Sequence, residues 1–112
     1  MARISTHVLD IARGKPAPGI AVDLRFGGAV IRSVVTNADG RTNEPVWAED
    51  RLPTGIYELV FHAGAYLRAS GAEGDPLFLD EIAIRFGVSD PAGNYHVPLL
   101  LAAHGYSTYR GS

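Results

Sequence analysis

The stretch Glu81-Ile82-Ala83-Ile84-Arg85-Phe86-Gly87-Val88 sets Ile82, Ile84 and Phe86 on one side of an extended chain and Ala83 and Arg85 on the other. A period of two is the mark of a strand with one buried face. Outward from it the same grammar repeats. Ser89-Asp90-Pro91-Ala92-Gly93-Asn94 reads as a turn, and Tyr95–Ala102 and Tyr106–Arg110 read as the last two strands, joined near Ala103-His104-Gly105. Upstream, Gly55–His62 is a strand around Ile56-Tyr57-Glu58-Leu59-Val60-Phe61. Gly64–Gly71 is the one plausible helix, with Gly71 as its stop. It is short enough to need tertiary packing.

Further upstream, Ile4–Asp10 alternates Ile4, Thr6 and Val8 against Ser5, His7 and Leu9. Ile20–Phe26 and Val30–Thr36 flank Gly27-Gly28, a hairpin signal. Asn37-Ala38-Asp39-Gly40 makes a turn that asks Gly40 for positive φ. Ala12–Gly19 reads as a turn-rich connection, and Arg41–Pro53, with two prolines, as irregular. Seven or eight short strands at this spacing predict an all-β sandwich. The lack of a βαβ rhythm predicts no parallel sheet. The chain's 112 residues predict a single domain, 1–112.

Composition narrows the function classes. A net charge of −2 lacks the basic footprint of a nucleic-acid binder. No run of like charges or long apolar segment invites a membrane. Cysteine is absent, which removes disulfides, thiolate catalysis and cysteine-ligated metals together. With no signal-peptide pattern at the start, the expected location is cytoplasmic.

The candidates for chemistry are His7, Arg41, His62, His96, His104, Tyr109, Arg110 and Ser112. His7 sits in a strand with an apolar opposite face, where a histidine is commonly satisfied by one hydrogen bond. His96 precedes Val97-Pro98. Pro98 cannot donate to a ladder, so this strand should be an edge or lie at a mouth where pairing is broken. Arg41 follows a tight turn, and a rigidly presented guanidinium suits planar oxyanions. His62 and His104 have no supporting pattern, and Arg110 reads as a structural or rim charge. No HExxH, Gly-rich phosphate loop or GxSxG elbow occurs, and no histidine spacing marks a metal site. Two histidines and an arginine without metal, cofactor or thiol suit acid–base hydrolysis of an already activated substrate.

Three segments together resemble the transthyretin-like family that contains 5-hydroxyisourate hydrolases. They are Ser5-Thr6-His7-Val8-Leu9-Asp10 with Gly14-Lys15-Pro16-Ala17, then Thr36-Asn37-Ala38-Asp39-Gly40-Arg41, and Tyr95-His96-Val97-Pro98-Leu99-Leu100-Leu101 leading to Gly105-Tyr106-Ser107-Thr108-Tyr109-Arg110-Gly111-Ser112. Departures from the family pattern fall at Phe78-Leu79-Asp80-Glu81, Asn94 and Ala102-Ala103-His104. The resemblance implies a transthyretin-like β-sandwich of two four-stranded sheets with one short helix. It implies a homotetramer, a dimer of dimers, with sites in the channel between dimers. It also implies hydrolysis of 5-hydroxyisourate to 2-oxo-4-hydroxy-4-carboxy-5-ureidoimidazoline in urate degradation. Carried onto this chain, the catalytic residues are His7, Arg41 and His96. Tyr109 and Ser112 contact substrate, and the Ser112 carboxylate is expected near the histidines. The alternative within the family is a small-molecule carrier without catalysis, which has little use for two basic groups beside an arginine.

Overall fold

The alternating stretches do become strands, and their buried faces meet in one core. A computed structural model describes residues 1–112 as nine strands and one helix. In chain order the strands are β1 (Ala2–Asp10), β2 (Lys15–Pro16), β3 (Ala21–Phe26), β4 (Ala29–Val35), β5 (Trp47–Glu49), β6 (Gly55–His62), β7 (Glu81–Val88), β8 (Asn94–Ala102) and β9 (Gly105–Thr108). Helix α1 (Gly64–Ala69) follows β6.

One sheet runs β4-β3-β6-β7, all antiparallel neighbours. The other runs β2-β1-β8-β9, with β5 also on β1. It is four strands wide, as expected, but its outer position is shared by two short pieces that the sequence reading left as irregular chain. β5 pairs with Ala2–Ile4 and β2 with Leu9–Asp10. Between them Gly40 accepts from the Val8 N–H at 2.7 Å, and Ala17 donates to the Val8 carbonyl at 3.0 Å. Two- and three-residue strands beside prolines carry too few side chains to show a period.

The expectation of no parallel pairing fails at one place. β1 and β8 run parallel over eight residue pairs, Arg3↔Asn94 to Asp10↔Leu101. A parallel pair needs a long crossover. Here the whole β4-β3-β6-β7 sheet lies within it, a connection that no local βαβ pattern announces.

Between the sheets lies a cluster of buried apolar residues, with Ile4, Val8, Leu24, Leu59, Phe61 and Leu99 fully enclosed. Tyr57 joins them by stacking on Phe26 at 4.3 Å and donating its hydroxyl to Pro53 O at 2.6 Å. The one polar side chain in the middle of β1's core face, Thr6, is satisfied by donating to Val97 O at 2.7 Å. α1 is pinned from outside the core: Tyr66 donates to the buried Asp10 carboxylate at 2.6 Å. No helix of the chain is long and apolar enough to cross a membrane.

Candidate active site

β1 buries its even-numbered residues from Ala2 to Asp10, so Arg3, Ser5 and His7 face the other way. The parallel register sets Ser5 opposite His96 and His7 opposite Pro98. Both histidines therefore stand on the outer face of the same sheet, on adjacent strands, 89 positions apart in the chain.

Pro98 proves to be central, not at a sheet edge: β8 lies between β1 and β9, and Pro98 is buried. The other half of the expectation holds. The β8–β9 ladder stops at Leu99↔Thr108 and resumes at His96↔Gly111. Pairing lapses beside the proline because it has no N–H to give. The resumed bridge is closed by Gly111 N–H donating to His96 O at 2.8 Å. It keeps the tail alongside β8 in the register of β9, with Tyr109 and Gly111 on the His96 side. Arg110 points the opposite way, 4.4 Å above the Tyr95 ring, and donates to Asn94 O at 3.0 Å.

Arg41 is delivered by a loop locked to β1. Asn37 Oδ1 accepts from the Asp39 and Arg41 N–H groups at 2.9 and 3.2 Å, and Asn37 N–H donates to Arg41 O at 2.7 Å. Gly40 has φ 72°, and a Cβ there would overlap the Val8 carbonyl oxygen. Only glycine lets the loop approach so closely. The same loop holds His7, whose Nε2 lies 2.9 Å from Asp39 O. A carbonyl only accepts, so Nε2 carries the proton, and the lone pair of neutral His7 is on Nδ1.

These pieces line an open cavity of about 580 Å³. His7, Arg41, His96, Tyr109 and Ser112 all line it, together with Ser5. Of the 14 lining residues one is hydrophobic, which fits a polar ligand better than an apolar hormone. The guanidinium of exposed Arg41 forms no ion pair or hydrogen bond within the chain and is free for a ligand. His96 is half-buried, and its pKa is lowered from the usual 6.5, first by burial, then by the Arg41 and His7 charges. Both causes favour the neutral ring over the imidazolium. The lining residues supply no group of three His, Asp or Glu side chains able to hold a metal ion.

The remaining candidates lie elsewhere. His62 is on the outer face of the other sheet, 2.9 Å from Asp23 Oδ2 and 3.7 Å from Glu81 Oε2. His104 sits exposed in the β8–β9 turn with its ring 5.7 Å from that of Phe78. Sequence reading missed Ser5, whose Oγ is 2.9 Å from His96 Nδ1; Gly111, flagged only as part of the terminal Tyr109–Ser112 segment, lies against the His96 ring. The period of β1 places Ser5 on His7's face. Its contact with His96 depends on a pairing that no local pattern reveals.

Residues 4–111 match the model of the HIUase/Transthyretin family. The chain belongs to the HIUase/transthyretin family. Among its relatives, 5-hydroxyisourate hydrolase 2 of Rhizobium meliloti is 52% identical, over 98% of this chain and 96% of the relative. Among solved structures, the 5-hydroxyisourate hydrolase of Klebsiella pneumoniae is similar with a TM-score of 0.85 and 38% identity, each chain covered in full. An (S)-allantoin synthase is similar with a TM-score of 0.89 and 38% identity, over 99% of this chain and 44% of that one. The family's sandwich is thus the fold seen here.

Proposed function

We propose that the chain hydrolyses 5-hydroxyisourate in the cavity on the β1–β8 face, with His7, Arg41 and His96 as the catalytic set and Tyr109 and Ser112 as substrate contacts. The observation that carries this reading is the convergence of three distant segments: two half-buried histidines on adjacent strands and an unpaired guanidinium, all lining one polar cavity. Relatives named 5-hydroxyisourate hydrolase, at about half identity over nearly the full chain, support it. A carrier of apolar ligands would have little use for such a lining.

The substrate is a flat, oxygen-rich bicycle with an activated lactam. Arg41 meets its oxygen edge and stabilises charge that develops on the attacked carbonyl. Between them His7 and His96 supply a lone pair for the proton of water and an N–H for the reacting carbonyl or departing nitrogen. Tyr109 and Ser112 close the wall nearest His96.

Assembly as a homotetramer, a dimer of dimers, belongs to this reading. Family membership supports it, as do the cavity's position open on a sheet face and the free edges of β7 and β9. A cytoplasmic location is the matching expectation, in line with the cysteine-free composition.

The test is direct. 5-Hydroxyisourate is generated in situ with urate oxidase and its ultraviolet decay followed with and without the protein. Accelerated decay is the expected result. A spectral shift without acceleration would replace the hydrolase with a carrier.

A further inference from the structure

We propose that Ser5 is a positioning residue that fixes His96 as the Nε2–H tautomer, making His96 the hydrogen-bond donor of the reaction and His7 its base. This assignment deepens, and rests on, the hydrolase reading above.

Hydrogen-bond accounting leads to it. The only N–H of neutral His7 is spent on Asp39 O at 2.9 Å, so His7 has no proton to offer a substrate and holds its lone pair on Nδ1. A neutral N–H for the substrate must then come from His96. The His96 ring is gripped on two sides. Nδ1 faces Ser5 Oγ at 2.9 Å, and Gly111 is packed against Cδ2 so closely that a Cβ would overlap it. Nε2 is the ring nitrogen left without a protein partner, in a residue that lines the cavity.

Ser5 decides which nitrogen carries the proton. Its hydroxyl has no hydrogen-bond partner in the chain other than His96 Nδ1. If Nδ1 carried the proton, the Ser5 O–H would have no protein acceptor on this half-buried face. If Ser5 donates to Nδ1, its proton is used and Nε2–H is presented to the cavity. Burial and the neighbouring charge of Arg41 favour the neutral ring, for which a tautomer choice exists. A neutral imidazole N–H polarising a carbonyl is established chemistry elsewhere.

The step then balances. His7 Nδ1 takes a proton from water while the oxygen bonds to the lactam carbonyl carbon. His96 Nε2–H and Arg41 bear the oxyanion. As the tetrahedral centre collapses, the C–N bond breaks and His7 returns its proton to the departing nitrogen. The new carboxylic acid releases its proton to solvent. His96 ends as it began, so it need not titrate in the cycle.

The test is a long-range ¹H–¹⁵N spectrum of the full chain labelled in its histidines, recorded at a pH where they are neutral. His96 is expected to show protonated Nε2 and bare Nδ1. A proton on Nδ1 would overturn the proposal. In Ser5→Ala the tautomer preference is expected to weaken and kcat to fall about 10-fold, the scale of one lost hydrogen bond, with KM within about twofold. Ser5→Thr, which keeps the hydroxyl, should restore both. Unchanged kcat in Ser5→Ala would also overturn it. Because the spectrum reads the resting protein, a wild-type chain that failed to hydrolyse would sink the proposed function separately. The tautomer assignment would still stand or fall on its own data.

Discussion

Gly111 touches His96 twice: its N–H donates to the His96 carbonyl at 2.8 Å, and its Cα lies where any Cβ would run into the imidazole. The tail and the histidine are therefore one mechanical unit. Gly111 is not among the glycines at positive φ, so the backbone itself tolerates alanine. Gly111→Ala is expected to displace the ring and lower kcat roughly 10²-fold, the cost of about 1 Å of misplacement. The melting temperature should move by only about 2–4 °C, since the change lies at a partly exposed tail. Steady-state kinetics beside a thermal melt checks both halves.

Removing either histidine removes one of two complementary groups. His7→Ala or His96→Ala should reduce kcat roughly 10²–10⁴-fold. Neither ring lies in the buried core, so the fold should survive. The readout is ultraviolet decay of 5-hydroxyisourate, with circular dichroism as the control. Wild-type turnover in both variants would remove these residues from the mechanism.

His96 should titrate below an ordinary histidine. Burial is the largest cause of its lowered pKa, followed by the charges of Arg41 and then His7. Its NMR midpoint should fall below the usual 6.5. Arg41→Gln removes a neighbouring cation, so the imidazolium becomes less costly and the midpoint rises. The rise is partial, because the burial contribution remains. A midpoint unmoved by Arg41→Gln would show that Arg41 does not act on His96.

A second, independent pH effect belongs to the opposite sheet. Asp23 accepts from Ser33 Oγ at 2.7 Å and faces His62 Nε2 at 2.9 Å. Its pKa is lowered from 3.8, chiefly by the hydrogen bond with His62 and then by that with Ser33. A carboxylate depressed in the fold adds stability that is present above its unfolded pKa and is lost as pH falls through the folded one. Wild type should lose stability in that acid window, and Asp23→Asn should flatten this part of the profile. Denaturant melts between about pH 2 and 6 would show it. A variant with the wild-type acid limb would rule out Asp23 as its source.

Much of the molecule was legible in advance, for local reasons. Ile82, Ile84 and Ile4 advertise their faces because a strand's side chains alternate whatever it pairs with. Gly71 lies just past the helix end at φ 104°, in the role read for it. His7, Arg41 and His96 stood out by residue type, turn context and resemblance, and all three line one cavity. β2 and β5 were not legible, because two or three residues beside prolines cannot display a period. Ser5 was visible only as a polar residue on His7's face.

The sequence by itself determined the seven longer strands, their buried faces, the turns and the family, since each is written in stretches of residues adjacent or nearly adjacent in the chain. Only the tertiary structure decided that β8 is central and parallel to β1, that Ser5 meets His96 Nδ1, and that Gly111 locks against the same ring. Those contacts join residues far apart in the chain. Backbone hydrogen bonding is blind to side-chain identity, so strand partners far apart in sequence are selected by how whole sheets bury their apolar faces together. The chemistry of the site depends on that selection, because a histidine's proton goes where its neighbours, not its sequence, direct it.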